Sequence, residues 1–144
     1  MKKATLIYPL LSLSLLSATE LIQVPTVMSV DRCSETMINR INSKKGFGVF
    51  AIIDHQKNAQ KVGLTLPEQK VIIFGNPKAG TLLMQEDAQI GYDLPLRIMV
   101  RDEGAQRVVE YRSAELFEKD YKLNNSPLPT KIQRLLEDLA HSCQ

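Results

Sequence analysis

Five residues of this chain carry groups that could hold or act on a small molecule: His55, Asn76, Lys78, Asp93 and Arg97. His55 follows Asp54 at the end of an apolar run, and Asp93 sits in a Gly-x-Asp-Leu-Pro turn. If the two converge, they make an acid/base pair. Asn76-Pro77 reads as a helix start, because Asn is a favoured N-cap and Pro at the next position gives up a donor that would have no partner. The N–H groups of Lys78 and Ala79, with the Lys78 ammonium, would then form a seat for an anion. Arg97 either faces that ligand or pairs with Asp93 or Asp54. The plainer use of the same residues is structural: aspartates capping helices and tying turns, His55 at the surface, Lys78 in water.

Other chemistry finds no support in the spacing. Gly75–Thr81 differs from a phosphate loop, since Lys78 precedes Gly80 instead of following it. Two histidines and two cysteines lie far apart with no metal-ligand spacing, so no metal or cofactor is expected. Met84 and Met99 suit core filling, and no serine stands in a nucleophile-elbow context.

The elements that must position these residues follow from periodicity. Thr19–Met28 is β-branched but contains Pro25, which fits an edge strand. Val30–Ser43 repeats apolar residues at helical spacing, with Ser29 or Asp31 as cap and Gly46 beyond its end. Phe47–Ile53 and Gln69–Phe74 are apolar on both faces, as expected of strands covered on two sides by helices or by a partner subunit. Asp54 can cap a brief helix over His55–Val62. Alternation from Leu94 predicts a strand that turns at Asp102-Glu103-Gly104 into Gln106–Tyr111. Ser113 can cap a short helix through Lys119, and Thr130 opens an amphipathic last helix. The order β-α-β-(α)-β-α-β-β-α-α, with its hairpin, predicts an α+β fold: a mostly antiparallel four- or five-stranded sheet with helices packed against it.

The N-terminus reads as an export signal over residues 1–18, followed by one domain over residues 19–144. Lys2 and Lys3 precede an apolar stretch, Ala4–Leu16, and small residues Ser17 and Ala18 follow. The stretch is too short to span a membrane, so a periplasmic or secreted protein with no stable span after processing is expected. The chain has 18 Lys+Arg and 16 Asp+Glu. Removing Lys2 and Lys3 leaves 16 of each sign. A neutral chain without a basic stripe does not suit nucleic-acid binding. Cys33 and Cys143 could pair in an oxidising compartment, or remain two thiols.

The run Phe74-Gly75-Asn76-Pro77-Lys78-Ala79-Gly80-Thr81, then Leu83-Met84, then Gly91-x-Asp93-Leu94-Pro95-Leu96-Arg97-Ile98 resembles the hallmark of the bacterial family called domain of unknown function 302. Gly46-Phe47 and Ile53-Asp54-His55 resemble it too, and the match runs from about Val27 to Leu123. The resemblance implies an α+β fold with a largely antiparallel sheet and a homodimer, and it implies no activity. Where the family commonly has an Asn-Asp-Pro turn and then Arg-His, this chain has Arg112-Ser113-Ala114 and Asp120-Tyr121. A role resting on that histidine does not carry over, which leaves His55 as the motif histidine. The expected function is binding of a small molecule or an envelope protein without catalysis. The alternatives are an enzyme using His55 and Asp93 on an anionic small molecule, and a structural envelope protein.

Overall fold

In a computed structural model the described residues are 21–144, so the expected export signal over residues 1–18 lies outside them. Five strands, β1 (Leu21–Thr26), β2 (Gly48–Asp54), β3 (Gln69–Gly75), β4 (Leu96–Asp102) and β5 (Arg107–Arg112), form one sheet in the order β1-β5-β4-β3-β2. Every pairing is antiparallel. Five helices join them: α1 (Val30–Asn42), α2 (His55–Lys61), α3 (Pro77–Glu86), α4 (Leu116–Asp120) and α5 (Leu128–His141), with a 3-10 turn over Ala88–Tyr92. The element order is the one the periodicity predicts, and Pro25 does sit on an edge strand. Edge β2 carries a bulge between Val49 and Ala51, which frees Phe50 from the ladder.

Register sorts the strand residues into two faces. Val24, Ile72, Phe74, Ile98, Val100, Val109 and Tyr111 share one face and form the core with Met37 and Ile41 of α1 and Leu136 and Leu139 of α5. Val71, Ile73 and Met99 lie on the other face, half-buried, beside Arg97, Arg101 and the buried Glu110. Glu110 accepts from Arg101 at 2.7 and 3.0 Å, which holds its carboxyl below the ordinary range. The two-sided apolar patterning of β3 thus meets unequal cover, full burial for Ile72 and Phe74 and half-burial for Val71 and Ile73.

Some boundaries move, for local reasons. Ser29 caps α1 by accepting from the Arg32 N–H at 3.3 Å. The helix ends at Asn42, and Gly46 takes φ +83° in the turn beyond it. α5 starts at Leu128 rather than Thr130, with Pro129 in its first turn, where a missing N–H costs nothing. Ser113 does not cap α4; its hydroxyl donates to Gln133 of α5 at 3.2 Å. Gln133 also accepts from the Ala114 N–H at 2.9 Å, so a buried amide carries the sheet-to-helix tie. Cys33 and Cys143 form a disulfide between α1 and the end of the chain. The Thr26 hydroxyl donates to the Cys143 carbonyl beside it.

Candidate functional site

The corner at Asn76 is built as a helix start should be. Asn76 stays extended and its side-chain oxygen accepts from the N–H groups of Lys78 at 3.0 Å and Ala79 at 3.2 Å. Those two donors are therefore taken by the cap itself. The anion seat expected there is occupied from within, and Lys78 is exposed and does not line the neighbouring cleft. Gly46 is what lets Asn76 sit so close: a Cβ on it would meet the Asn76 Nδ2 at 2.7 Å. Position 46 therefore needs glycine twice, for its positive φ and for this approach.

What opens beside the corner is apolar. A cleft of about 280 Å³ lies between the end of β3, α3 and the Leu94-Pro95 segment. Its walls are Phe47, Phe50, Pro77, Met84, Leu94 and Pro95, with Asn76 and Thr81 as the polar positions. Gly80 forms part of the wall, and a Cβ there would reach Leu94 at an ordinary 3.7 Å. The size is near the lower end of the range for small-molecule pockets.

The remaining predicted residues go elsewhere. Asp93 is only 8% exposed. It accepts from Arg112 Nη1 at 3.0 Å and from the Tyr121 hydroxyl at 2.5 Å, and Arg112 reaches on to Asp120 at 2.8 Å. Arg112, not Arg97, supplies the charge partner of Asp93, and the partners of Asp54 are Lys57 and Lys70. The Asp93 hydrogen bond is the main cause that pushes the Tyr121 phenol up to about 12. This knot ties the 3-10 turn to the ends of β5 and α4. Arg97 is exposed on the outer face, opposite Ile73, where it and Asp93 line a second cleft of about 350 Å³ with Tyr92 and Met99.

His55 is brought to none of these. In the β2–β3 pair Asp54 stands opposite Lys70, whereas Gly48 stands opposite Gly75. Asp54 and His55 thus lie at the other end of β3 from Asn76, roughly 20 Å away at the usual rise per strand residue. Asp93 precedes Leu96, which pairs with Phe74, so it too belongs to the Asn76 end. His55 and Asp93 are out of hydrogen-bond reach and form no acid/base pair. Among the described residues no three His, Cys, Asp or Glu side chains gather in a way that could hold a metal ion. The candidate ligand residues read from the sequence do not include Arg112, Tyr121, Phe47 or Phe50. Arg112 and Tyr121 lie 19 and 28 positions from Asp93, too far for any local pattern to point to them.

A five-stranded antiparallel sheet with helices packed against it, and an apolar cleft at a strand end, defines a small α+β domain. The chain belongs to the family described as Domain of unknown function DUF302, whose family model matches residues 22–139. A crystal structure of an uncharacterized conserved DUF302 protein from Bacillus stearothermophilus shares the fold, with a TM-score of 0.73 and 19% identity over 88% of this chain and 100% of that one. Among curated proteins, the chain is 43% identical over 86 residues to proteins from Brucella suis and Brucella abortus, each named Fluoride-specific ion channel FluC 1. The match covers 58% of this chain but spans about a third of the length of those relatives (34% and 32%). No helix among the described residues is long and apolar enough to cross a membrane.

Proposed function

We propose that this protein is a non-enzymatic binding domain, exported from the cytoplasm, whose ligand places an apolar group in the cleft beside Asn76-Pro77. One observation carries the reading: the cleft at the Asn76-Pro77 corner is walled by carbon, and the titratable side chains of the motif stand outside it, with Lys78 exposed and Asp93 paired with Arg112. Catalysis would need the reverse arrangement. An NMR titration with decanol, a neutral probe, tests it. Saturable shifts confined to Phe47, Gly80 and Leu94, lost in Gly80→Leu, are expected. Shifts scattered over the surface, or binding unchanged in Gly80→Leu, would refute the reading.

The Cys33–Cys143 disulfide supports export, since such bonds persist in oxidising compartments. The outer face of the sheet supports a homodimer: Val71, Ile73 and Met99 form an apolar strip of the kind a second copy would cover. Sedimentation of the wild type against Met99→Asp measures that directly, with a dimer-to-monomer shift expected. The relatives named as channels favour work close to a membrane protein. A segment resembling this chain is joined there to further sequence, and a binding module beside a channel suits both settings.

A further inference from the structure

The corner cleft does not end at its apolar walls. Phe47, Asn76, Ala79 and Ile132 also line a neighbouring groove of about 510 Å³ between the C-terminal part of α1 and α5, so the two spaces share a wall and adjoin. The floor of this groove is apolar, through Leu128, Ile132 and Leu135. Its rim is cationic: Arg40 from α1, Lys44 in the turn just beyond that helix, and Lys131 and Arg134 from α5. The one carboxylate on the rim, Asp138, is shared between Arg40 at 2.6 Å and Lys44 at 3.3 Å. Four cations against one carboxylate leave a local positive excess in a chain that is close to neutral. Lys131 and Arg134 are exposed, so charge is available to a ligand at low desolvation cost.

We infer that the ligand is an amphipathic anion with a single short chain: its alkyl or aryl body lies in the corner cleft and its carboxylate, or a comparable singly charged head, lies among Lys131, Arg134, Lys44 and Arg40. A two-chain lipid in a bilayer does not fit, because the cleft is too small for more than one short chain. A cation does not fit the rim, and a neutral alcohol leaves the rim unused. This inference rests on the cleft being the binding site proposed above, and adds the head group to it.

Calorimetric titration of the full chain with decanoate, decanol and decyltrimethylammonium separates the two ideas, because the three probes share a tail and differ in charge. Decanoate should bind at least about tenfold more tightly than decanol, as expected where a charge-assisted contact is added. The cationic probe should bind least. Lys131→Glu with Arg134→Glu, both on the exposed side of α5, should bring decanoate down to the level of decanol while leaving the melting temperature and decanol binding in place. Added salt should weaken decanoate alone. Equal binding of decanoate and decanol by the wild type, or decanoate binding untouched in the double variant, would overturn the anionic head while the apolar cleft stands. Binding of none of the three overturns both. Sedimentation with phosphatidylglycerol vesicles in place of decanoate binding would likewise overturn the single-chain ligand.

Discussion

The two ends of the sheet start from the same local chemistry and finish differently. At one end Asp54 leaves β2 and caps α2, accepting from the Lys57 N–H at 2.9 Å. At the other Asn76 leaves β3 and caps α3 in the same manner. Around Asp54 the neighbours are ion pairs: Lys70 reaches Asp31 and Asp54, and Lys57 reaches Asp54. The disulfide and the Thr26–Cys143 contact staple that end shut. Around Asn76 a glycine turn, the Leu94-Pro95 segment and the start of α5 approach without filling the space. An Asx cap after a strand is therefore not a site. It becomes the edge of one where tertiary neighbours stand back from it.

The largest way to break the comparison is at the stapled end. Cys33 and Cys143 are 110 positions apart, and closing a loop of that size is worth about 4.7 kcal/mol in the chain-entropy picture. Cys33→Ala with Cys143→Ala should lower the denaturant-unfolding free energy by about that amount. At temperatures where the variant remains folded, decanol binding should be unchanged. A parallel loss of binding would mean the two ends are not independent.

Next comes the Asp93 knot. Removing a buried partner of an ion pair costs about 3–5 kcal/mol when both groups are enclosed. Arg112 is 35% exposed and keeps Asp120, which discounts the loss; Asp93→Ala should cost about 2–3 kcal/mol. The variant also frees the Tyr121 phenol. Its raised folded value, about 12 against an ordinary 10.0, means that the hydrogen bond stabilises the fold fully below about pH 10 and is lost as pH rises through 12. Ultraviolet titration should show that transition moving down towards the ordinary range in Asp93→Ala, and a phenol that does not move would remove Asp93 as its cause.

Gly46→Ala acts at the cleft end by a different route. A methyl group there both meets Asn76 at 2.7 Å and strains a positive φ. A loss of at least about 1 kcal/mol follows from the backbone alone. Because Asn76 must move, decanol binding should weaken as well, in contrast to the disulfide variant. Thermal unfolding and the NMR titration on one preparation check both parts.

Much of this architecture is legible in the residues themselves. Pro25 puts β1 at an edge, Asn76-Pro77 marks a helix start, and Asp102-Glu103-Gly104 turns a hairpin, because each rests on a local backbone preference. The grouping of His55 with Asn76 and Asp93 depends instead on the direction of β3 relative to β2. The connection between them, residues 55–68, is long enough for a parallel crossover as well as for an antiparallel return. A parallel pair would bring His55 and Asn76 to one end of the sheet; the antiparallel pair separates them. The partners of Asp93 and the basic rim had no local signal either, since each is assembled from helices and strands distant in the chain.

The smallest effect sharpens the picture of the rim. Hydrogen bonding from Arg40, joined by Lys44, holds the Asp138 carboxyl at about 2, below its ordinary 3.8. A depressed folded value means that the contribution is present above the ordinary value and disappears as pH falls from about 4 to about 2. Asp138 is 36% exposed and its pairs are screened, so the loss is modest and falls with salt. The acid limb of thermal stability should accordingly be shallower in Asp138→Asn than in the wild type. The two should draw together as salt is added. An unchanged acid limb would mean that Asp138 does not pair in solution, and the rim would then carry one fewer neutralised cation than the geometry describes. Asp138→Asn should also tighten decanoate binding, since it removes a negative charge from the rim that faces the anionic head.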